Sequence, residues 1–215
     1  NTTSGFSIVS YTGTGANATI GHGLGSTPKM IIVKNRSNIH DWRVYHASLG
    51  ATHDIYLSST GAKVDSTTPW NDTEPTSSVF TVGTANGTNQ NGDSLIAYLF
   101  AEKQGYSKFS SYIGNGNADG PFVYTGFKPG WLLIKKSSAS GNGWFLMDTK
   151  RDIGNPNSTF FQVNLTNAET ASDRMDILSN GFKPRYNWGI INDIGATYIY
   201  MAFAEQPLVG DNPAT

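Results

Sequence analysis

Apolar positions along this chain come in short runs or in strict alternation, almost never at helical spacing. "MIIVK" (Met30–Lys34) and "WLLIK" (Trp131–Lys135) are continuous apolar runs, each beginning two residues after a proline and closed by a lysine. Runs this short suit strands buried on both faces. Proline would start each strand where no ladder donor is needed, and the lysine would return to solvent. "TYIYMAFAE" (Thr197–Glu205) instead alternates with period two. Further strands are expected in "FSIVSY", "WRVYH", "DIYLS", "SVFTVG", "SLIAYLFAE", "KFSSYI", "WFLMD", "FFQVN" and "DILSNGF". They are separated by "TGTGAN", "TANGTNQNGD", "GNGNADG" and "SASGNG", residues that tolerate turns and positive φ. The only helical candidate, "LTNAETASDRMDIL", reads as a loop with a single turn.

These segments recur in order. "YTGTG" (Tyr11–Gly15) corresponds to "YIGNG" (Tyr112–Gly116), "GLGSTPKMIIVKNRS" to "TGFKPGWLLIKKSS", and "DWRVYH" to "GWFLMD". "VFTVG" matches "GFKPR", and "SLIAYLFAEKQG" matches "TYIYMAFAEQPL". The offset grows only from 101 (Tyr11 to Tyr112) to 103 (Glu102 to Glu205). A period of that length is domain-sized, longer than that of a solenoid or propeller repeat. The expected fold is all-β: two tandem related β-sandwich, jelly-roll-like repeats, residues 1–105 and 106–215, packed as one two-lobed body. The junction "FAEKQGYSKFSSY" leaves too few residues for a free linker.

Composition supports this and narrows function. Charged residues are 14% of the 215, against about 25% in an average globular protein, while 24 glycines and 12% aromatics favour short strands and turns. A net charge of −1 without a basic stripe argues against nucleic-acid binding. No apolar run approaches the roughly 18 residues of a membrane span. Absence of cysteine removes disulfides, thiolate catalysis and cysteine-based zinc sites. The opening "NTTSGFSIVS" lacks a signal-peptide pattern and enters strand almost at once, as expected of a fragment of a longer chain.

Side chains present in both copies are expected to maintain the shared fold: Glu102 with Glu205, Lys34 with Lys135, and Trp42 with Trp144. His40 and His46 would share one side of a strand, but their spacing matches no familiar metal motif. Neither a metal nor a cofactor is expected. "DTKRD" (Asp148–Asp152) reads as a turn laced by its own ion pairs. The unmatched aromatics carry more. Trp70 stands in the polar stretch "TTPWNDTEPTSS", and Tyr186 and Trp188 stand in "RYNWGIIND". A ring on a polar loop exposes apolar area, so it covers something or binds something. With Asn71, Asp72 and Asn187 beside them, these rings suit a sugar, the ring covering C–H groups while amides and carboxylates take hydroxyls. The competing reading makes each ring a lid on its own lobe or part of a subunit contact.

The ordered motifs resemble those of phage tail-fibre and tail-associated proteins. The segments that carry the likeness are "YIGNGNADGPFVYTGFKPGWLLIKK", "WFLMDTKRD" and "TYIYMAFAEQP", and in the first copy "IGHGLGSTPKMIIVKNRS", "WRVYHASLG", "NDTEPTSSVFTVG" and "LIAYLFAEKQGYSKF". The resemblance implies the C-terminal, receptor-contacting portion of a homotrimeric fibre. Such a fibre is assembled in the host cytoplasm and acts from the virion at the bacterial surface. It implies no catalytic residues. Where a blander loop is expected after "GFK", this chain has "PRYNWGII", which singles out Tyr186 and Trp188 as specificity residues. The expected ligand is a bacterial surface carbohydrate, capsule or lipopolysaccharide, bound without catalysis or membrane insertion. The rivals are a capsule depolymerase or glycosidase, with carboxylates drawn from Asp72, Asp148 and Asp152, and a purely structural virion module.

Overall fold

A computed structural model describes residues 1–207. The chain is all-β. Sixteen strands and one helical turn are present among the described residues, and they divide into two compact units. The first holds Asn1–Ser59 and Lys63–Glu102; the second holds Thr60–Ala62 and the chain from Lys103 onward.

In the first unit the strands are β1 (Phe6–Thr12), β2 (Ala18–Gly21), β3 (Met30–Asn35), β4 (Arg43–His46), β5 (His53–Tyr56), β6 (Val64–Asp65), β7 (Val79–Val82) and β8 (Ser94–Phe100), with the turn α1 (Asn86–Asn89) before β8. An antiparallel sheet runs β1-β8-β3-β4-β5-β6, and β2-β7 forms a second, small sheet. Alternation decides which side chains meet. Leu95, Ala97 and Leu99 of β8 and Ile31 and Val33 of β3 turn inward and join Phe80 and Val82 of β7 in one core. Each of the larger side chains contributes about 1.5–3 kcal/mol by leaving water, Ala97 less.

The second unit holds β9 (Ser107–Ile113), β10 (Val123–Tyr124), β11 (Pro129–Lys136), β12 (Phe145–Asp148), β13 (Asn157–Gln162), β14 (Thr170–Leu178), β15 (Gly181–Pro184) and β16 (Thr197–Ala204). One sheet runs β10-β15-β14-β13-β12-β11-β16-β9. It rolls over far enough that Phe182 of β15 meets Tyr112 of β9 at 5.8 Å and Tyr200 of β16 at 5.3 Å. The order β1-β8-β3-β4-β5 of the first unit reappears here as β9-β16-β11-β12-β13.

Two expectations need correction. "LTNAETASDRMDIL" contains no helical turn: Thr170–Leu178 is strand β14. It lies between β13 and β15, and Met175 and Ile177 enter the core at period two. Ladder partners on both sides outweigh its weak local preference. The lysines ending the apolar runs do not simply return to solvent either: Lys34 is partly buried and Lys135 fully. Lys135 is 0% exposed and its Nζ donates to the Asn142 carbonyl. Burial pulls its pKa down to about 8. Lys34 donates likewise to the His40 carbonyl, with its ammonium 5.9 Å from the Trp42 ring. Each lysine ties down the loop that follows its strand, and this contact is invisible to a local pattern.

A buried ion pair in the first unit carries a pH prediction. Asp54 of β5 is 0% exposed and is bonded to Arg43, whose guanidinium also lies 4.5 Å over the Tyr56 ring. The second oxygen of Asp54 is buried without a partner. Burial pushes its pKa up to about 6, against the opposing pull of Arg43. An unfolded aspartate titrates near 3.9, so between those values the folded state holds a proton that the unfolded state releases. That stabilisation is complete below about pH 4 and lost as pH rises through about 6, by up to ~3 kcal/mol. Denaturant titrations of wild type and Asp54→Asn across pH 4–7 should differ in slope, with the variant flatter.

Candidate functional site

The loop between β6 and β7 is held from below. Trp70, expected on the rim, is 1% exposed and packs edge-on against Tyr45 at 6.0 Å in the first unit's core. That removes Trp70 as a ligand platform and makes it the loop's anchor. Bonds from Gly83 N–H to the Pro69 carbonyl (3.0 Å) and from Ala85 N–H to the Thr68 carbonyl (3.0 Å) hold the adjoining backbone. Glu74 accepts from the Tyr45 hydroxyl and, at 2.8 Å, from the Ala51 N–H.

On this pinned base Asn71 and Asp72 take left-handed backbone, with φ of 51° and 45°. Two successive non-glycine residues in that region are uncommon, although Asn and Asp tolerate it best. The turn places Asn71 Oδ1 2.7 Å from the Nδ2 donor of Asn17 in the β1–β2 loop. Thr73 Oγ1 donates to the Asn71 carbonyl at 2.7 Å. Beneath lies the outer face of the small sheet. There Ala18, Ile20, Phe80 and Val82 point inward, which leaves Thr19, exposed, directly opposite Thr81, largely buried, on the other face. The result is an open cleft of about 420 Å³ lined by Asn17, Ala18, Thr19, Asn71, Thr73 and Thr81. Its polar lining is amide and hydroxyl throughout, with Asp72 exposed beside it. Such a surface offers neutral hydrogen bonds.

In the second unit Tyr186 is 49% exposed, and Trp188 packs partly buried against Phe160 (5.1 Å) and Phe145 (6.2 Å). Neither ring has both faces free. The Arg174 guanidinium lies 4.5 Å from the Tyr186 ring and 4.6 Å from that of Trp188. Asn187, between them, is exposed. Trp188 therefore acts partly as a lid on its own core, and Tyr186 remains accessible.

The other chemical candidates are occupied in holding turns. Asp148 accepts from the Lys150 and Arg151 N–H groups at 3.0 and 2.8 Å and pairs with the Arg151 side chain at 3.1 Å. Asp152 accepts from the N–H groups of Ser158, Gly154 and Thr159, which hold its carboxyl well below the usual range. Glu205 pairs with Lys128 at 2.6 Å and accepts from Thr149 Oγ1 at 3.1 Å. His40 bonds Gln90 at 2.9 Å, His46 is buried, and no cluster suited to a metal occurs among the described residues.

The structure thus places Asn71 in the lining of an open cleft, leaves Asp72 exposed next to it in the chain, and buries Trp70. It brings Tyr186 and Trp188 to one arginine, Arg174, and leaves Asn187 exposed between them in sequence. Sequence reasoning missed Asn17, Thr19, Thr73, Thr81 and Arg174. The β2–β7 register could be guessed only from the weak alternation of "ATIG", and nothing local marked Arg174.

Residues 1–207 match the family described as Domain of unknown function (DUF7483), and the chain belongs to that family. No curated protein and no solved structure matches it.

Proposed function

We propose that this member of the DUF7483 family is a non-enzymatic, carbohydrate-binding attachment region. In this reading it forms part of a homotrimeric phage tail fibre and engages bacterial surface polysaccharide from the virion. The observation that carries the binding reading is the cleft in which Asn17, Thr19, Asn71, Thr73 and Thr81 converge on an open, uncharged surface. Amides and hydroxyls match a neutral sugar's alternating donors and acceptors. The left-handed turn at Asn71 and Asp72 is held before any ligand arrives, which lowers the ordering cost of binding. Placement in a fibre rests on the motif resemblance. Three copies of a weak site would gain roughly 10²–10⁴ in avidity.

Asn71→Ala and Asn17→Ala should each weaken binding to immobilised neutral oligosaccharide about 3- to 10-fold, one hydrogen bond's worth. Binding unchanged in both variants sinks the cleft as the site. Incubation with the bound glycan should release no reducing ends; release favours a depolymerase. Light scattering should give three times the 23.2 kDa of one chain.

A further inference from the structure

We propose that Arg174, clamped between Tyr186 and Trp188, is a recognition site for an anionic group on a saccharide, a carboxylate or a phosphate. The site is separate from the neutral cleft and names a second ligand chemistry for the same glycan-binding reading, on which it rests.

The first observation is the arrangement of the arginine. Its guanidinium is flanked by two aromatic rings at nearly equal distances, 4.5 and 4.6 Å. Two rings this close restrict the planar cation and replace water around it, while its N–H donors point outward in its own plane. Trp188 is fixed in turn by Phe145 and Phe160. The Tyr186 side is tied by its carbonyl, which accepts from Asn192 Nδ2 at 3.3 Å.

The second observation is what the guanidinium lacks. Arg174 Nε is buried without a hydrogen-bond partner, and among the described residues the side chain has no ion pair. A charged donor left unpaired in a partly desolvated site is costly unless a ligand completes it. Among the described side chains, two carboxylates nearby are already engaged. Asp176, two residues along β14, faces Arg185 at 3.4 Å. Asp119 is bonded to Lys183 at 2.7 Å and lies 3.7 Å from Arg185. Lys183 holds the Asp119 carboxyl below its ordinary range, so that anion is strongly retained.

The third observation is access. Arg174 is itself partly exposed, Tyr186 is half exposed and Asn187, next to it in the chain, is exposed, so the guanidinium is within reach of an arriving oxyanion. A planar fork binds a carboxylate or phosphate through two parallel hydrogen bonds.

The test uses the full chain and three probes: a hexuronate oligosaccharide, its carboxyl-reduced counterpart, and inorganic phosphate as competitor. The acidic oligosaccharide should bind at least tenfold more tightly than the reduced one at low salt, and the advantage should shrink as salt rises. Arg174→Gln should abolish the preference, and Arg174→Lys, which keeps the charge but loses the fork, should restore little of it. Melting curves confirm that both variants are folded. Competition by phosphate identifies a general oxyanion site; failure to compete identifies a carboxylate-specific one. Equal binding of acidic and reduced oligosaccharides, or a preference that survives Arg174→Gln, overturns the proposal. If both oligosaccharides then bind equally and lose affinity in Asn71→Ala, the neutral-cleft reading stands without this site. If neither binds, both fall.

Discussion

Replacing Trp70 by alanine should destabilise the first unit by about 3–5 kcal/mol, the range for deleting a fully buried large aromatic. The ring is enclosed by its own core, so its removal leaves a cavity that the pinned backbone of Pro69 and Thr68 cannot readily fill. The same change should abolish binding at the neutral cleft, because the turn at Asn71 and Asp72 loses its support. Chemical denaturation measures the first effect and glycan binding the second. Trp70→Phe separates them. Nε1 has no partner, so phenylalanine gives up no hydrogen bond and should recover most of the stability. If Trp70→Ala costs less than about 1 kcal/mol, the ring is not the anchor described here.

Asn192→Ala should cost about 2–4 kcal/mol in the second unit, the sum of several net hydrogen bonds and of partners left unmet. The side chain is 0% exposed. Its Oδ1 accepts from Asn115 N–H at 2.9 Å, and its Nδ2 donates to the Asn117 carbonyl at 2.7 Å and to Asn115 Oδ1 at 3.1 Å. Asn89 does the same work in the first unit, accepting from Thr14 N–H at 2.8 Å and donating to the Ala16 carbonyl at 2.6 Å. Each asparagine therefore holds one of the two loops that begin "YTGTG" and "YIGNG". Those loops approach closely: a Cβ at Gly13 would overlap the Gln90 carbonyl, and one at Gly114 the Asp193 carbonyl. Asn192→Asp should not rescue the loss, since a carboxylate accepts but cannot donate to the Asn117 carbonyl. It should also loosen Tyr186, whose carbonyl Asn192 holds, and so weaken anion binding at Arg174. An aspartate variant as stable as wild type contradicts the donor role.

The paired motifs were legible because they are local. Runs such as "MIIVK" and "WLLIK" are short, bounded by proline and turn formers, and long enough to cross a sheet once; β3 and β11 fall on them. The "YTGTG" and "YIGNG" match was equally visible, but the asparagines that hold those loops were not. Asn89 and Asn192 lie more than 70 residues along the chain from the loops they bond. Likewise "TTPWNDTEPTSS" is polar on both sides of its tryptophan, so local composition placed the ring outside, whereas the backbone folds it under the loop.

Most of the longer strands and the two matched series of segments follow from residue type and spacing alone, because period, turn propensity and proline geometry act over a few neighbours; β14 did not. Which rings meet solvent, where the lysines end, and that Thr19 faces Thr81 or Asn17 reaches Asn71 were set by pairing between distant segments. Such pairings depend on burial summed over a whole core, a quantity no short window contains.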